Sequence, residues 1–191
     1  TKKVDFVYLP KFKDIYEDNN KSKINLNKKD IILCARFRKG HFEGVLDVMN
    51  RLTKIVKPSK IFMGEKDFQQ FYLVKKFLKN KHKTKIISCK TIRDKNKIAL
   101  SSRNLLLSKS NLNLAGKIYK KIVKIKKNIN NKENISDILS YQKKQLEIEF
   151  KIKIDYLELR NKMNLRFTKK NKNSKLFIAY HINNVRLIDN I

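Results

Sequence analysis

The sequence predicts an α/β protein: a parallel sheet with flanking helices, followed by a small α+β domain with an antiparallel sheet. Three observations carry this. In the first half, short apolar runs of strand length alternate with amphipathic helical stretches across short connections, the order that gives a parallel sheet with right-handed crossovers. In the second half, two helical stretches precede three strand candidates. The last two of these are separated only by Asn183-Asn184, residues that tolerate positive φ and so suit a tight hairpin.

The elements follow in chain order. Asp5-Phe6-Val7-Tyr8-Leu9 is a short strand-like run ended by Pro10. Ile31-Ile32-Leu33-Cys34-Ala35 is a continuous apolar run that fits a strand buried on both faces. A helix is expected from Phe42 to Lys57, where Val45, Val48, Met49, Leu52, Ile55 and Val56 recur at helical spacing and Pro58 stops the run. Lys60-Ile61-Phe62-Met63 reads as a strand ended by Gly64. A second helix runs from Lys66 to Leu78 through Phe71, Val74, Phe77 and Leu78, and Thr84 to Cys89 is a further strand. Helices then cover Ser110–Lys127 and Ser136–Phe150. Strands are expected over Ile152–Leu159, Lys175–Ile182 and Val185–Asp189, and Lys169–Asn173 is a solvated loop. The domain boundary is placed so that residues 1–94 form the first domain and 95–191 the second.

A chain of 191 residues is long enough to bury a core. No apolar run approaches the roughly 20 residues of a membrane span, and no signal peptide is visible where Thr1-Lys2-Lys3-Val4-Asp5 opens the sequence. The two cysteines, Cys34 and Cys89, lie in apolar runs without C-x-x-C spacing. They read as buried free thiols in a reducing, cytoplasmic compartment. The net charge is +30. Such a balance often marks nucleic-acid partners. Here, however, lysines are spread along the whole chain with asparagines and isoleucines, the mixture an AT-rich coding sequence produces. The charge is therefore read as compositional drift whose consequence is salt-sensitive, non-specific adhesion to polyanions. No specific nucleic acid and no membrane is assigned as a partner.

Of only four glycines, three fall between residues 40 and 64, in Arg38-Lys39-Gly40-His41-Phe42-Glu43-Gly44 and Met63-Gly64-Glu65-Lys66-Asp67. Both segments lie at the carboxyl end of an expected parallel strand, where ligands of open α/β sheets bind. In Gly64-Glu65-Lys66-Asp67, the glycine can present backbone amides, the helix start favours anions, Lys66 brings a mobile positive charge and Asp67 can accept hydrogen bonds. The same four residues also read as a capped helix start with a surface lysine. Leu100-Ser101-Ser102-Arg103-Asn104 places two hydroxyls beside a guanidinium, which suits a polyphosphate. It reads equally as a serine-capped helix start. The three histidines, His41, His82 and His181, show no metal-ligand spacing, so no protein-built metal site is expected. His82 is read as a surface residue and His181 as packed along a strand.

Taken together, these segments resemble the pantoate–β-alanine ligase family. Arg38-Lys39-Gly40-His41-Phe42-Glu43-Gly44-Val45 is similar to its Arg-Pro-Gly-His-Phe-x-Gly-Val segment. Phe62-Met63-Gly64-Glu65-Lys66-Asp67-Phe68-Gln69-Gln70 is similar to Phe-Gly-Glu-Lys-Asp-x-Gln-Gln. Thr91-Ile92-Arg93 with Ala99-Leu100-Ser101-Ser102-Arg103-Asn104 is similar to Thr-Val-Arg and Leu-Ala-Leu-Ser-Ser-Arg-Asn. Asp155-Tyr156-Leu157 and Arg186-Leu187-Ile188-Asp189-Asn190 also match. The order and spacing hold from about Val4 to the C-terminus.

The resemblance implies a Rossmann-like nucleotide domain, incomplete at its N-terminus, and a two-step reaction. Pantoate attacks the α-phosphorus of ATP to give pantoyl adenylate and pyrophosphate. β-Alanine then displaces AMP to give pantothenate, and Mg2+ accompanies ATP. By carry-over, ATP is bound by Gly64, Glu65, Lys66, Asp67, Ile92 (through its backbone, at the adenine), Leu100, Ser101, Ser102 and Arg103. Lys66, Ser101, Ser102 and Arg103 serve the chemistry, and Gln70 binds pantoate. The complete enzyme is expected to be a homodimer. The sequence departs from the family at Lys39, in place of proline, and at Lys97, in place of the glycine before the serine loop. Ile98 stands where the family has leucine. The family's His-x-Gly-His segment and an upstream glutamine are not among these residues, so the 191 residues alone are expected to lack ligase activity. Rival readings are an adenylyl-transferring enzyme with another acceptor and a basic nucleic-acid-binding module.

Overall fold

The computed structural model describes residues 3–16, 24–129 and 134–191; the opening Thr1-Lys2 lies outside them. In chain order the elements are α1 (Phe12–Ile15), α2 (Cys34–Phe37), α3 (His41–Val56), β1 (Lys60–Gly64), α4 (Phe68–Leu78), β2 (Lys85–Cys89), α5 (Lys109–Asn128), α6 (Ile135–Phe150), β3 (Lys153–Asn161), β4 (Ser174–Ile182) and β5 (Val185–Asn190). Short 3₁₀ turns occupy Lys28–Asp30, Glu65–Asp67 and Ser102–Leu106. β1 and β2, joined through α4, form a two-stranded parallel sheet. β3, β4 and β5 form an antiparallel sheet in that order.

Tertiary packing divides the chain into two compact units, Thr1–Phe62 with Gln70–Ile87, and Met63–Gln69 with Ser88–Ile191. In the first unit, Leu33, Phe42, Leu46, Leu73, Val74 and Leu78 are buried. Gly40 precedes α3 at φ +77, a left-handed position where glycine avoids the Cβ clash. Lys57, also left-handed, and Pro58 end the helix. Lys76 Nζ meets Asp30 at 2.6 Å. Arg51 joins Asp47 to the carbonyl of Ile15 and lies over the Tyr16 ring.

Four expectations for this half need correction. Asp5–Leu9 is irregular and solvent-exposed, with Phe6 at 94%. A strand needs an edge to bond to, and among the described residues no strand pairs with this run. Ile31–Ala35 is likewise no strand. Leu33 takes φ 48, the chain reverses, and Cys34 opens α2, so Leu33, Cys34 and Ala35 are buried by a turn and a helix instead. A continuous apolar run does not separate these outcomes. Ile55 and Val56 at the end of α3 stay exposed rather than joining its buried stripe. Cys34 is buried, but Cys89 is exposed, because it closes the short β2.

The second unit holds the larger core. Ile118, Ile122 and Ile125 of α5 and Ile135, Leu139 and Leu146 of α6 pack on Ile154, Leu157, Leu159, Leu176, Ile178, Ile182 and Leu187 of the antiparallel sheet. Each such side chain, fully buried, contributes roughly 1.5–3 kcal/mol relative to exposure. The β4–β5 hairpin turns at Asn183, whose φ is 51. The loop before β4 does more than meet solvent: Asn171 donates to the carbonyls of Lys126 and Ile129 and so closes the end of α5.

Candidate functional site

The polar segments singled out in the sequence gather, for the most part, in the second unit. The helices cover one face of the antiparallel sheet. The other face carries Lys175 and Phe177 of β4 and Asn190 of β5, and the Gly64–Asp67 loop packs there. Phe68 meets Phe177 edge-on, with centroids 5.8 Å apart. Lys175 Nζ lies 3.5 Å from Glu65 and 5.4 Å from the Phe68 centroid. Burial lowers the Lys175 pKa, and the Glu65 carboxylate only partly offsets that. The Asn190 side-chain amide, on a residue 3% exposed, donates to the carbonyls of both Glu65 (2.8 Å) and Lys66 (2.9 Å).

Gly64 has φ −68, and a Cβ there would meet no atom within 4 Å. The backbone therefore does not require glycine; what the residue leaves is open room at the mouth of the turn. Glu65–Asp67 form the 3₁₀ turn that leads into α4 at Phe68, so their first N–H groups have no intrahelical acceptor. The Lys66 ammonium is 3.6 Å from Asp67, whose side chain is half-exposed; such a pair is weak and easily exchanged for another anion. Gln70 stands one turn on in α4 and belongs to the first packing unit.

Residues 92–100 form a narrow loop closed by an antiparallel bridge between Arg93 and Ala99. The Leu100 N–H donates to the Ile92 carbonyl at 2.9 Å, which brings these two expected nucleotide contacts side by side and leaves the Ile92 N–H as its available backbone group. Both side chains are exposed. Lys97, where the family has glycine, takes φ 68, so the chain here adopts the conformation glycine serves best. Gly116 of α5 allows close approach to this loop, since a Cβ would stand 2.8 Å from the Asn96 carbonyl. Arg93 makes a two-pronged pair with Asp189 at 2.6 and 2.8 Å and lies over the Tyr119 ring at 4.3 Å. Burial alone would lower its pKa, but the Asp189 hydrogen bonds and charge outweigh burial and hold it above the ordinary value.

In the serine loop, the Ser101 hydroxyl accepts from the Arg103 N–H and caps the 3₁₀ turn, while Ser102 is exposed. The Asn104 side chain donates to the Ala99 carbonyl, and Arg103 Nη1 donates to the Arg186 carbonyl at 2.9 Å. The Arg186 side chain donates to Asp155 (2.7 Å), whose other oxygen meets His181 at 3.1 Å. His181 is thus a partly exposed member of a polar cluster rather than a packed strand residue. His82 is half-buried against Asn50. Among the described residues no group of three His, Cys, Asp or Glu gathers to hold a metal ion. Sequence reasoning gave no role to Arg93, Lys175, Asp189 or Asn190. Three of these four lie in quoted motifs, which was the available signal.

The pantoate-beta-alanine ligase family model matches residues 1–191. The chain is 37% identical over 190 residues to the pantothenate synthetase of Flavobacterium psychrophilum, covering 97% of this chain and 67% of that protein. The crystal structure of pantothenate synthetase from Thermus thermophilus superposes with a TM-score of 0.84 at 24% identity over 95% of this chain and 67% of that one, a likeness of fold. Pantoate-beta-alanine ligase from Francisella tularensis, solved with beta-gamma ATP and beta-alanine, superposes with a TM-score of 0.72 at 32% identity over 94% of this chain and 61% of that one. The chain spans about two thirds of the length of the curated relatives it matches. With a family match across its whole length and a Rossmann-like fold shared with these structures, the chain belongs to the pantoate–β-alanine ligase family.

Proposed function

We propose that these residues form the ATP side of an AMP-forming carbon–nitrogen ligase that joins pantoate to β-alanine. The observation that carries this reading is that the Gly64–Asp67 loop and the Ser101–Arg103 loop are both held by one strand, at Asn190 and Arg186. Four residues of strand separate these anchors by roughly 13 Å, a span one nucleotide can bridge. The Francisella relative, bound to an ATP analogue and β-alanine, supports the same substrates here.

In the first step a pantoate carboxylate oxygen attacks the α-phosphorus. The bond to the bridging oxygen breaks, and pyrophosphate leaves with the electron pair. Gly64, Glu65 and Asp67 line the nucleotide site. Lys66, on the same turn, follows the charge that builds on the phosphates. The Ile92 N–H and the Leu100 segment meet the adenine. Ser101, Ser102 and Arg103 hold the phosphates from the other side, Ser101 also capping its own turn. Gln70 hydrogen-bonds pantoate. In the second step the β-alanine amine attacks the acyl carbon of pantoyl adenylate, AMP departs and the amine loses a proton. Mg2+ accompanying ATP would neutralise phosphate charge, and none of the described residues of this chain is assigned to hold it. Residues 1–94 carry the nucleotide-binding part and 95–191 the closing part. The complete enzyme works as a homodimer, and Cys34 and Cys89, neither of them in a disulfide, suit a cytoplasmic setting.

Lys66→Ala tests this in an intact enzyme containing these residues. Adenylate formation in single turnover is expected to fall about 100-fold, with ATP affinity changed by less than about fivefold. Weakened binding with an unchanged chemical step would remove the role from Lys66. The 191 residues alone, lacking the His-x-Gly-His segment, should make no pantothenate from ATP, pantoate and β-alanine. Turnover by this chain would refute that.

A further inference from the structure

The closing motif Arg186-Leu187-Ile188-Asp189-Asn190 has no part in the chemistry above, yet every segment proposed to touch ATP from this unit is tied to it. We propose that β5 sets the register of the nucleotide site, with Asn190 and Asp189 as positioning residues. Asn190 fixes the Lys66 turn and Asp189 fixes the Ile92 loop. The inference rests on the assignment of ATP to these loops.

The Asn190 arm follows from peptide geometry. Both hydrogens of its side-chain amide are used, one on the Glu65 carbonyl and one on the Lys66 carbonyl. In a trans peptide the C=O and the next N–H point in opposite directions. Drawing these two carbonyls onto the sheet therefore turns the N–H groups of Lys66 and Asp67 away from it. In a 3₁₀ turn capped by Gly64 the Asp67 N–H faces the Gly64 carbonyl, and the Lys66 N–H is left with no helical acceptor. The result is an oriented Lys66 donor beside the open room at Gly64, on the residue that carries the ammonium. The other end of the Asn190 amide supports this reading. Its Oδ1 is buried and has no hydrogen-bond partner among the described residues. A buried acceptor left unmet costs stability, so the residue is placed for its two donors rather than for a balanced set of bonds.

The Asp189 arm acts on the base. Asp189 holds Arg93 with two bonds, and Arg93 Nη1 also donates to the Lys97 carbonyl at 3.1 Å. The guanidinium thus closes the 93–97 loop from within and fixes the peptide that follows Ile92. A third tie, from Arg103 to the Arg186 carbonyl, uses backbone and is indifferent to the residue at 186. Asn190 and Asp189 point to opposite faces of β5, as alternation along a strand requires. One short strand therefore indexes the turn on one face and the base loop on the other.

A double-mutant cycle tests the Asn190 arm in an intact enzyme containing these residues. Asn190→Ala is expected to slow single-turnover adenylate formation about tenfold while ATP affinity changes less than about threefold. In a Lys66→Ala background the same substitution should slow the step by no more than about twofold, because its effect passes through the Lys66 turn. Full additivity, or no slowing by Asn190→Ala alone, overturns the positioning role. An unchanged rate in Lys66→Ala itself would instead sink the assignment of ATP to this loop. Arg93→Lys tests the other arm and decides the matter if Asn190→Ala does not fold. It keeps the charge and loses the two-pronged contact. Preference for ATP over GTP should fall about tenfold, with melting temperature near that of the parent protein. An unchanged preference overturns the role of Asp189.

Discussion

The two faces of the antiparallel sheet are built from the same three strands and do different work. The face toward α5 and α6 is aliphatic, with Leu176, Ile178, Ile182 and Leu187 closed off from water. The face toward the Gly64–Asp67 loop carries Lys175, Phe177, His181, Arg186 and Asn190, and its contacts are directional: an edge-on ring pair, a charge pair and side-chain amide hydrogen bonds. Apolar burial is strong but does not specify orientation. Hydrogen bonds add little net energy each but demand geometry. Apolar stability therefore resides on one face and registration of the Lys66 turn on the other, while Asp189, on the helix-facing side of β5, holds the base loop.

The largest effect should come from the helix face. Ile178→Ala, at a fully buried position, is expected to cost about 3–4 kcal/mol. On the opposite face, His181→Ala should cost less than about 1 kcal/mol, since its ring is partly exposed and is bonded to the Asp155 carboxylate. Chemical denaturation of both variants checks the contrast, and equal losses would break it. A smaller change, of opposite sign, is expected at the base loop. Lys97→Gly relieves a left-handed backbone and should stabilise the protein by about 0.5–1 kcal/mol. A rise in melting temperature is the measurement.

The smallest effect concerns the edge of β4. The Lys126 ammonium is bonded to Asn171 and Ser174, and burial, with Lys162 and Lys175 adding repulsion, lowers its pKa from 10.5 to about 8. Because the folded-state value lies below the unfolded one, the unfolded chain holds this proton longer. The penalty is fully present below about pH 8 and fades as pH rises toward 10.5. The melting temperature should rise between about pH 7 and pH 10, and the rise should be shallower in Lys126→Met. Parallel curves would show that Lys126 does not cause it.

Much of this was legible along the chain. The helices around Val48, Val74, Ile122 and Leu146, the strands at Lys60, Lys85 and in the last third, and the hairpin at Asn183-Asn184 follow from periodicity and turn chemistry. The runs at Asp5–Leu9 and Ile31–Ala35 were misjudged because an apolar run states that burial is favourable without stating the backbone that achieves it. The motifs around Lys66, Ile92 and Ser102 were visible as polar clusters. Their anchors were not, because Asn190 lies 124 residues from Lys66 and no local pattern connects them.

Composition, period and turn residues thus determined by themselves which segments are helical, which pair as a hairpin, and which polar loops stand out from an apolar frame. These are consequences of interactions over a few residues. Which strand those loops rest on, which carbonyls Asn190 holds and which guanidinium Asp189 holds were decided only by the tertiary structure. Hydrogen bonds between distant segments depend on distance and angle in space, and a linear sequence does not carry those quantities.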